Sequence, residues 1–230
     1  MHFHIITLFP SMFDSYLNES ILARAKKEKI IYFHFYNPRA FVKPTANQKK
    51  NDKPYLRVDD KAYGGGPGMV IQALPVLLAA ESALKKISKL KGKRKTKVIF
   101  FEPSGTKLDT AYAKQSAKKY TDIIMICGRY EGIDARAKKI LKAEGISIGD
   151  YVLTGGEIPA MAVIDTVSRQ LKGVLGDIAS LEEMRASSGE MYTRPEVLEY
   201  KGKKHKVPKV LLSGNHKLID EWRDSNRKGL

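Results

Sequence analysis

The sequence predicts an α/β fold with a mostly parallel sheet and a small helical appendage at the C-terminal end. Three observations carry this expectation. Short β-branched and aromatic runs alternate with segments of helical periodicity, the pattern of a sheet wound by crossover helices. Clusters of glycine follow three of the strand-like runs, where open α/β sheets place their ligands. From Met191 onward the strand signals stop, and LIDEWRDSNRK has the spacing of a short helix.

The elements follow in order. FHIITL (3–8) reads as a strand, ended by Phe9 and Pro10. SMFDSYLNESILARAKKEK (11–29) has apolar residues at helical spacing and predicts one helix. IIYFHFY (30–36) is a second strand. Residues 37–60 are polar and basic, with Pro38, Pro44 and Pro54, and read as a loop. Residues 72–90 read as a helix, 98–103 as a strand, 108–120 as a helix and 122–128 as a strand. Residues 133–144 predict a helix, ISIGDYVLT a strand or strand-like turn, and 157–171 an amphipathic helix with Pro159 tolerated in its first turn. Residues 173–190 lack periodicity and read as a linker. The expected division is therefore 1–172, a linker at 173–190, and 191–230.

The 230 residues suit one large domain or one domain with an appendage. Hydrophobic residues make up 43% and charged residues 29%, enough apolar chain for a buried core. No apolar run approaches the roughly 20 residues of a membrane-spanning helix. The N-terminal MHFHIITLFPSMF lacks the pattern of a secretory signal, so a cytoplasmic location is expected. A single cysteine, Cys127, excludes an intrachain disulfide. It lies in the apolar run IIMIC and is expected to be a buried small hydrophobe. Lys plus Arg is 41 against 25 for Asp plus Glu, a formal net charge of +16. That excess favours a polyanionic partner, and nucleic acid is the commonest. The positive charge is clustered: Lys49, Lys50, Lys53 and Arg57; KKISKLKGKRKTK (85–97); and KGKKHKVPK (201–209). Lysine outnumbers arginine, which points to phosphate contacts rather than reading of base edges.

AYGGGPGM (62–69) holds four glycines in five positions. No Gly-Lys-Ser/Thr follows and the spacing is not GxGxxG, so it is neither a phosphate loop nor a dinucleotide fingerprint. It is either a tight turn needing positive φ or a close approach to a flat ligand. In SIGDYVLTGGEIPAM (147–161), two glycines before a helix leave backbone N–H groups facing a cleft. In GRYEGID (128–134), Arg129, Glu131 and Asp134 fall within about one turn of one another. The histidines predict no metal site. His2 and His4 alternate on one strand, while His34, His205 and His216 are scattered, and no HExxH or Cys/His pair is present. No GxSxG or cysteine partner supports a hydrolase triad.

Taken together, LFPSMF (8–13), DDKAYGGGPGM (59–69), ICGRYEGID (126–134), SIGDYVLTGGEIPAM (147–161), GVLG (173–176), YTRPE (192–196) and VPKVLLSGNH (207–216) resemble the bacterial tRNA (guanine-37-N1)-methyltransferases. The likeness runs from residue 3 to residue 223. It implies the SPOUT fold, an α/β sheet carrying a trefoil knot, a rare exception to unknotted connectivity. It implies S-adenosylmethionine held in a bent shape by the knot loops. The matching positions are Pro103, Gly105, Gly128, Arg129, Glu131, Ile148, Gly149, Tyr151, Leu153, Gly155, Gly156 and Pro159. It implies a homodimer with a shared active site, a C-terminal helical domain that grips tRNA, and Mg²⁺ for turnover.

The implied reaction moves a methyl group to N1 of a guanine beside the anticodon. N1 carries a proton that must leave, and charge builds on O6, so a base and a cation are needed. Arg169 matches the family arginine that serves O6. The target base must also leave its stack. The family's Asp-Ser-Phe tripeptide, which supplies the proposed base, would begin at Met184 here, and a thioether takes no proton. The nearby acids are Asp177, Glu182, Glu183 and Glu190, of which Glu183 is the expected substitute. Ala62 replaces a usual proline, a change expected to loosen that turn slightly. Two other readings remain open: a non-catalytic tRNA-binding relative, and a SPOUT methyltransferase directed at another RNA.

Overall fold

The structure, a computed structural model, describes residues 1–44, 56–175 and 190–226. The chain divides into two compact units, Met1–Val174 and Leu175–Leu230. In the first unit, β1 (His2–Ile6), β2 (Tyr32–Tyr36), β5 (Thr96–Lys107), β6 (Asp122–Ile126) and β7 (Glu144–Ser147) form one sheet. Its order is β2-β1-β6-β5-β7, and every pairing is parallel. A separate antiparallel pair joins β3 (Asp59–Asp60) to β4 (Val70–Ile71).

Helices cover both faces. Strand β6 shows why: all five of its residues, DIIMI, are buried. A strand with both faces covered reads as a continuous apolar run. Ile123 and Met125 turn to one side, where they join Phe3, Ile5, Phe13, Ile99, Val163 and Val167. Ile124 and Ile126 turn to the other and join Ile6, Ile71, Val76, Ala79, Ala83 and Phe100. Helices α1 (Asp14–Leu17), α2 (Ser20–Lys27), α4 (Thr110–Lys119) and α6 (Glu157–Ser168) supply the first cluster. Helices α3 (Ala73–Ser88) and α5 (Ala135–Leu141) supply the second.

Side-chain caps set several starts. Asp109 accepts from the Tyr112 backbone N–H at 2.6 Å to open α4, and Asp134 accepts from that of Arg136 at 2.9 Å to open α5.

Three sequence expectations change. The single helix over 11–29 is a 3₁₀ turn (Pro10–Phe13), α1 and α2, broken at Asn18–Glu19. Asn18 turns its amide back onto the Asp14 carbonyl at 2.8 Å, and Ser20 takes φ +50°. Asn side chains compete with helical hydrogen bonds in this way. The strand over 98–103 runs on to Lys107, with an irregularity between Phe101 and Thr106. The C-terminal unit, expected to be helical, also contains an antiparallel hairpin of β8 (Val197–Tyr200) and β9 (Lys203–Lys206). Lys201 and Gly202, both at positive φ, make its two-residue turn. Helices α7 (Lys209–Leu212) and α8 (His216–Ser225) follow, and the Tyr192 and Trp222 rings stand 6.4 Å apart.

Candidate active site

A cavity of about 360 Å³ opens at the carboxyl ends of β6 and β7, beside the irregularity of β5. That is the size and the place in which α/β sheets bind small ligands. Two connections form most of its wall: residues 128–133, after β6, and 148–156, between β7 and α6, with Ile146 and Ser147 at the end of β7. The middle of β5, at its irregularity, contributes Phe100, Phe101, Glu102 and Pro103. Eleven of the twelve positions implied by the resemblance line it: Pro103, Gly128, Arg129, Glu131, Ile148, Gly149, Tyr151, Leu153, Gly155, Gly156 and Pro159.

Gly105 does not line the cavity. It sits inside β5, where a Cβ would come within 2.5–2.6 Å of the Gly145 carbonyl and the Ile146 amide. Its small size lets the two strands approach closely. The expectation of a free glycine turn after residue 103 is therefore corrected by the longer β5.

The wall is held from beneath by charge. Glu157, at the start of α6, is 1% exposed. Its Oε1 accepts from the Thr7 hydroxyl at 2.8 Å, and its Oε2 lies 3.0 Å from Arg129 Nε. The latter two atoms are not aligned for a hydrogen bond, so attraction between charges holds the pair. The Arg129 guanidinium also lies 4.9 Å from the Phe9 ring centroid, within cation–π range. A Cβ on Gly155 would run into both Arg129 and Glu157. Gly156 donates its N–H to the Gly128 carbonyl at 3.0 Å, which staples the two cavity loops together.

The 62–69 glycine segment has the backbone of a tight turn. Gly64, Gly65, Gly66 and Gly68 all have positive φ, as a tight turn requires, and Tyr63 is fully exposed. The turn also approaches the cavity loop. Glu131 N donates to Met69 O at 3.0 Å, and a Cβ on Gly68 would meet the Glu131 side chain at 2.6 Å.

Sequence reasoning missed a charged pair in the wall, Glu102 and Lys138, whose carboxylate and ammonium stand 2.5 Å apart. Glu102 ends a strand-like run and Lys138 lies mid-helix, and nothing local links them. Cys127 is buried as expected, and burial pushes its thiol well up.

The two expected catalytic residues are not both at the cavity. Arg169 follows the last residue of α6, about 18 Å along the helix from the glycines that open it. It is absent from the lining, and its Nε is buried without a hydrogen-bond partner. Glu183, with Asp177, Glu182 and Met184, lies outside the described residues. Glu190 accepts from the Tyr192 hydroxyl at 2.7 Å. The histidine expectation is also revised. Parallel pairing places His34 opposite His4, and His2 Nδ1 is 3.0 Å from His34 Nε2.

The family model described as tRNA (Guanine-1)-methyltransferase TrmD matches residues 1–229. A tRNA (guanine-N(1)-)-methyltransferase of Clostridioides difficile is 44% identical over 227 residues, covering 97% of this chain and 90% of the relative. One of Photobacterium profundum is also 44% identical, over 95% of this chain and 82% of the relative. The crystal structure of the tRNA (m1G37) methyltransferase from Aquifex aeolicus superposes with a TM-score of 0.73 at 38% identity, covering 99% of this chain and 89% of that one. With the cavity, its glycine loops and these likenesses in agreement, the chain belongs to the tRNA (guanine-1)-methyltransferase family.

Proposed function

We propose that this tRNA (guanine-N1)-methyltransferase takes its methyl group from S-adenosylmethionine bound in the cavity and delivers it to guanine 37, beside the anticodon. The observation that carries the reading is the convergence of eleven implied cofactor positions on one crevice. The crevice suits an adenosyl sulfonium. Ile133, Ile146, Ile148, Leu153 and Pro159 offer apolar surface to a purine, while Glu102, Arg129, Glu131 and Lys138 offer charge to a zwitterion. The donor supplies an electrophilic methyl on a cationic sulfur.

The residues divide the remaining work. The glycines of the two loops bring backbone N–H and carbonyl groups close to the ligand, and Tyr151 and Leu153 close it off from water. Arg169 stabilises charge developing on O6, and Glu183 takes the N1 proton. Arg169 lies off the cavity of its own chain, which supports a homodimer in which one copy completes the other's site. The two cavity connections and the irregular stretch of β5 are where the trefoil knot implied by the resemblance would cross. Lys201, Lys203, Lys204, Lys206 and Lys209 are all exposed in the C-terminal unit and suit the phosphates of tRNA. Mg²⁺ serves turnover as an ion shared with RNA or donor carboxylate rather than one caged by protein. A cytoplasmic location fits this substrate, and no described helix is long and apolar enough to cross a membrane.

The test is a methylation assay with purified protein, S-adenosylmethionine and a transcript carrying guanine 37. Incorporation that disappears when guanine 37 is replaced supports the reading. Normal tRNA binding without incorporation favours a non-catalytic relative. Full incorporation after the replacement favours another target.

A further inference from the structure

Away from the cavity, three imidazoles meet on the face of the sheet covered by α3. His2 and His4 project to the same side of β1, because side chains alternate along a strand. Their Cα atoms lie about 6.6 Å apart and the neighbouring strand about 4.8 Å away. His34 sits on that neighbour, in register with His4. The result is a triangle of rings on two adjacent strands. His2 Nδ1 and His34 Nε2 are 3.0 Å apart, and the ring nitrogens that the three residues offer all lie within 4.8 Å of one another. Imidazoles on a tetrahedral zinc stand about 3.3–3.4 Å apart, given Zn–N bonds of 2.0–2.1 Å. The observed spacing brackets that value, so small side-chain rotations suffice.

We propose that His2, His4 and His34 form a binding site for a transition-metal dication of the zinc class.

Further features fit this reading. His4 directs Nε2 to the Asp122 carboxylate at 3.3 Å, which makes Nε2 the donor and leaves the Nδ1 lone pair available. Carboxylates commonly orient metal-bound histidines in this way. Asp122 is itself fixed by Arg94, at 2.8 and 2.7 Å, and by the Thr121 hydroxyl at 2.6 Å. His4 Nδ1 is 3.0 Å from the Tyr36 hydroxyl, which gives way when the lone pair takes a metal. His2 and His34 are only partly buried, so an ion can enter and a water can complete the coordination. An all-imidazole donor set selects zinc, copper or nickel over magnesium and calcium. Arg94, Lys86 and the Met1 ammonium oppose a dication here, and they set its affinity below that of a closed thiolate site. The bound ion clips edge strand β2 to β1, apart from the methyl-transfer cavity.

The experiment uses the untagged full chain, stripped with chelator and titrated with Zn²⁺ by calorimetry and with Co²⁺ by absorption. One ion per chain is expected at this site, with a Co²⁺ spectrum typical of nitrogen ligation. His34→Ala and His2→Gln should each weaken binding at least tenfold while methylation is unchanged. A His205→Ala/His216→Ala variant should bind like the wild type. Equal binding by folded His34→Ala and wild type would overturn the proposal. If that variant does not fold, wild-type chain that gives no nitrogen-ligated Co²⁺ spectrum overturns it equally.

Discussion

Gly156 lies against the backbone of Cys127: a Cβ there would stand 2.6 Å from the Cys127 Cα, and the Gly156 N–H reaches the Gly128 carbonyl at 3.0 Å. The loop that opens α6 is thereby pinned to the end of β6. Backbone atoms on the far side cannot yield, so Gly156→Ala should push the two loops apart. A stability loss of about 1–3 kcal/mol is expected from such overpacking. Calorimetry should show weaker S-adenosylmethionine binding, and thermal melting a lower Tm. Unchanged binding would mean that the loop tolerates displacement.

Glu157 and Arg129 are a largely buried pair, and Glu157→Ala leaves Arg129 without its counter-charge. Removing one partner of such a pair costs about 3 kcal/mol. The urea midpoint should fall accordingly. The Arg129→Ala/Glu157→Ala double variant should lose less than the sum of the two singles, since the stranded charge is gone.

Arg169→Ala should lower the single-turnover rate by about 100- to 1000-fold, as for loss of a charge-stabilising donor, with S-adenosylmethionine binding unaltered. If the active site is shared, mixing Arg169→Ala with a cavity variant such as Tyr151→Ala should restore part of the activity. Two inactive variants that stay inactive when mixed, despite forming mixed dimers, would reject a shared site. Glu183→Gln should also slow the chemical step far more than tRNA binding, and an unchanged rate would reject Glu183 as the base.

Stability should decline as pH falls from about 6.5 towards 4. His2 and His34 are each pushed down from 6.5 to about 4. Burial is the main cause for both. Arg94 and the Met1 ammonium add to it at His2, and His4 and Lys86 at His34, while the Asp122 charge works the other way. Folded values below the unfolded ones mean that the unfolded chain binds more protons in this window. The contribution is therefore complete above about 6.5 and lost on acidification. Asp122 extends the decline below its usual 3.8. Burial raises it, but bonds from Arg94 and Thr121 and the Arg94 charge bring it down overall. Urea midpoints in chelator at pH 7 and pH 5 should differ, and less so in a His2→Gln/His34→Gln variant.

Cys127 should be inert in the folded chain. It is 3% exposed, and burial, followed by the Glu157 charge, raises its thiol. Aromatic disulfide reagents should react only after denaturant is added. Fast labelling of native protein would reveal opening between the cavity loops.

The parallel sheet was legible because a strand covered on both faces is apolar along its length, as Ile123 to Ile126 are after the ion-paired Asp122, and because crossover helices carry a 3.6-residue period. The cavity loops were legible because glycine marks where backbone must approach backbone or ligand. The break at Asn18 was not legible: apolar spacing continues across it, and only the turn of its amide onto Asp14 ends the helix. Nor was the role of Gly105, which depends on Gly145 in a strand 40 residues away.

By itself, then, the chain determined its element types, its charge and the motifs that place it in its family. Only tertiary structure decided that Glu102 meets Lys138, that Glu157 sits beneath Arg129, and that His34 comes to His2 and His4. Periodicity and composition are short-range properties of the chain. Register between strands and packing across a sheet are settled by the whole core at once, and they bring together residues that share no local pattern.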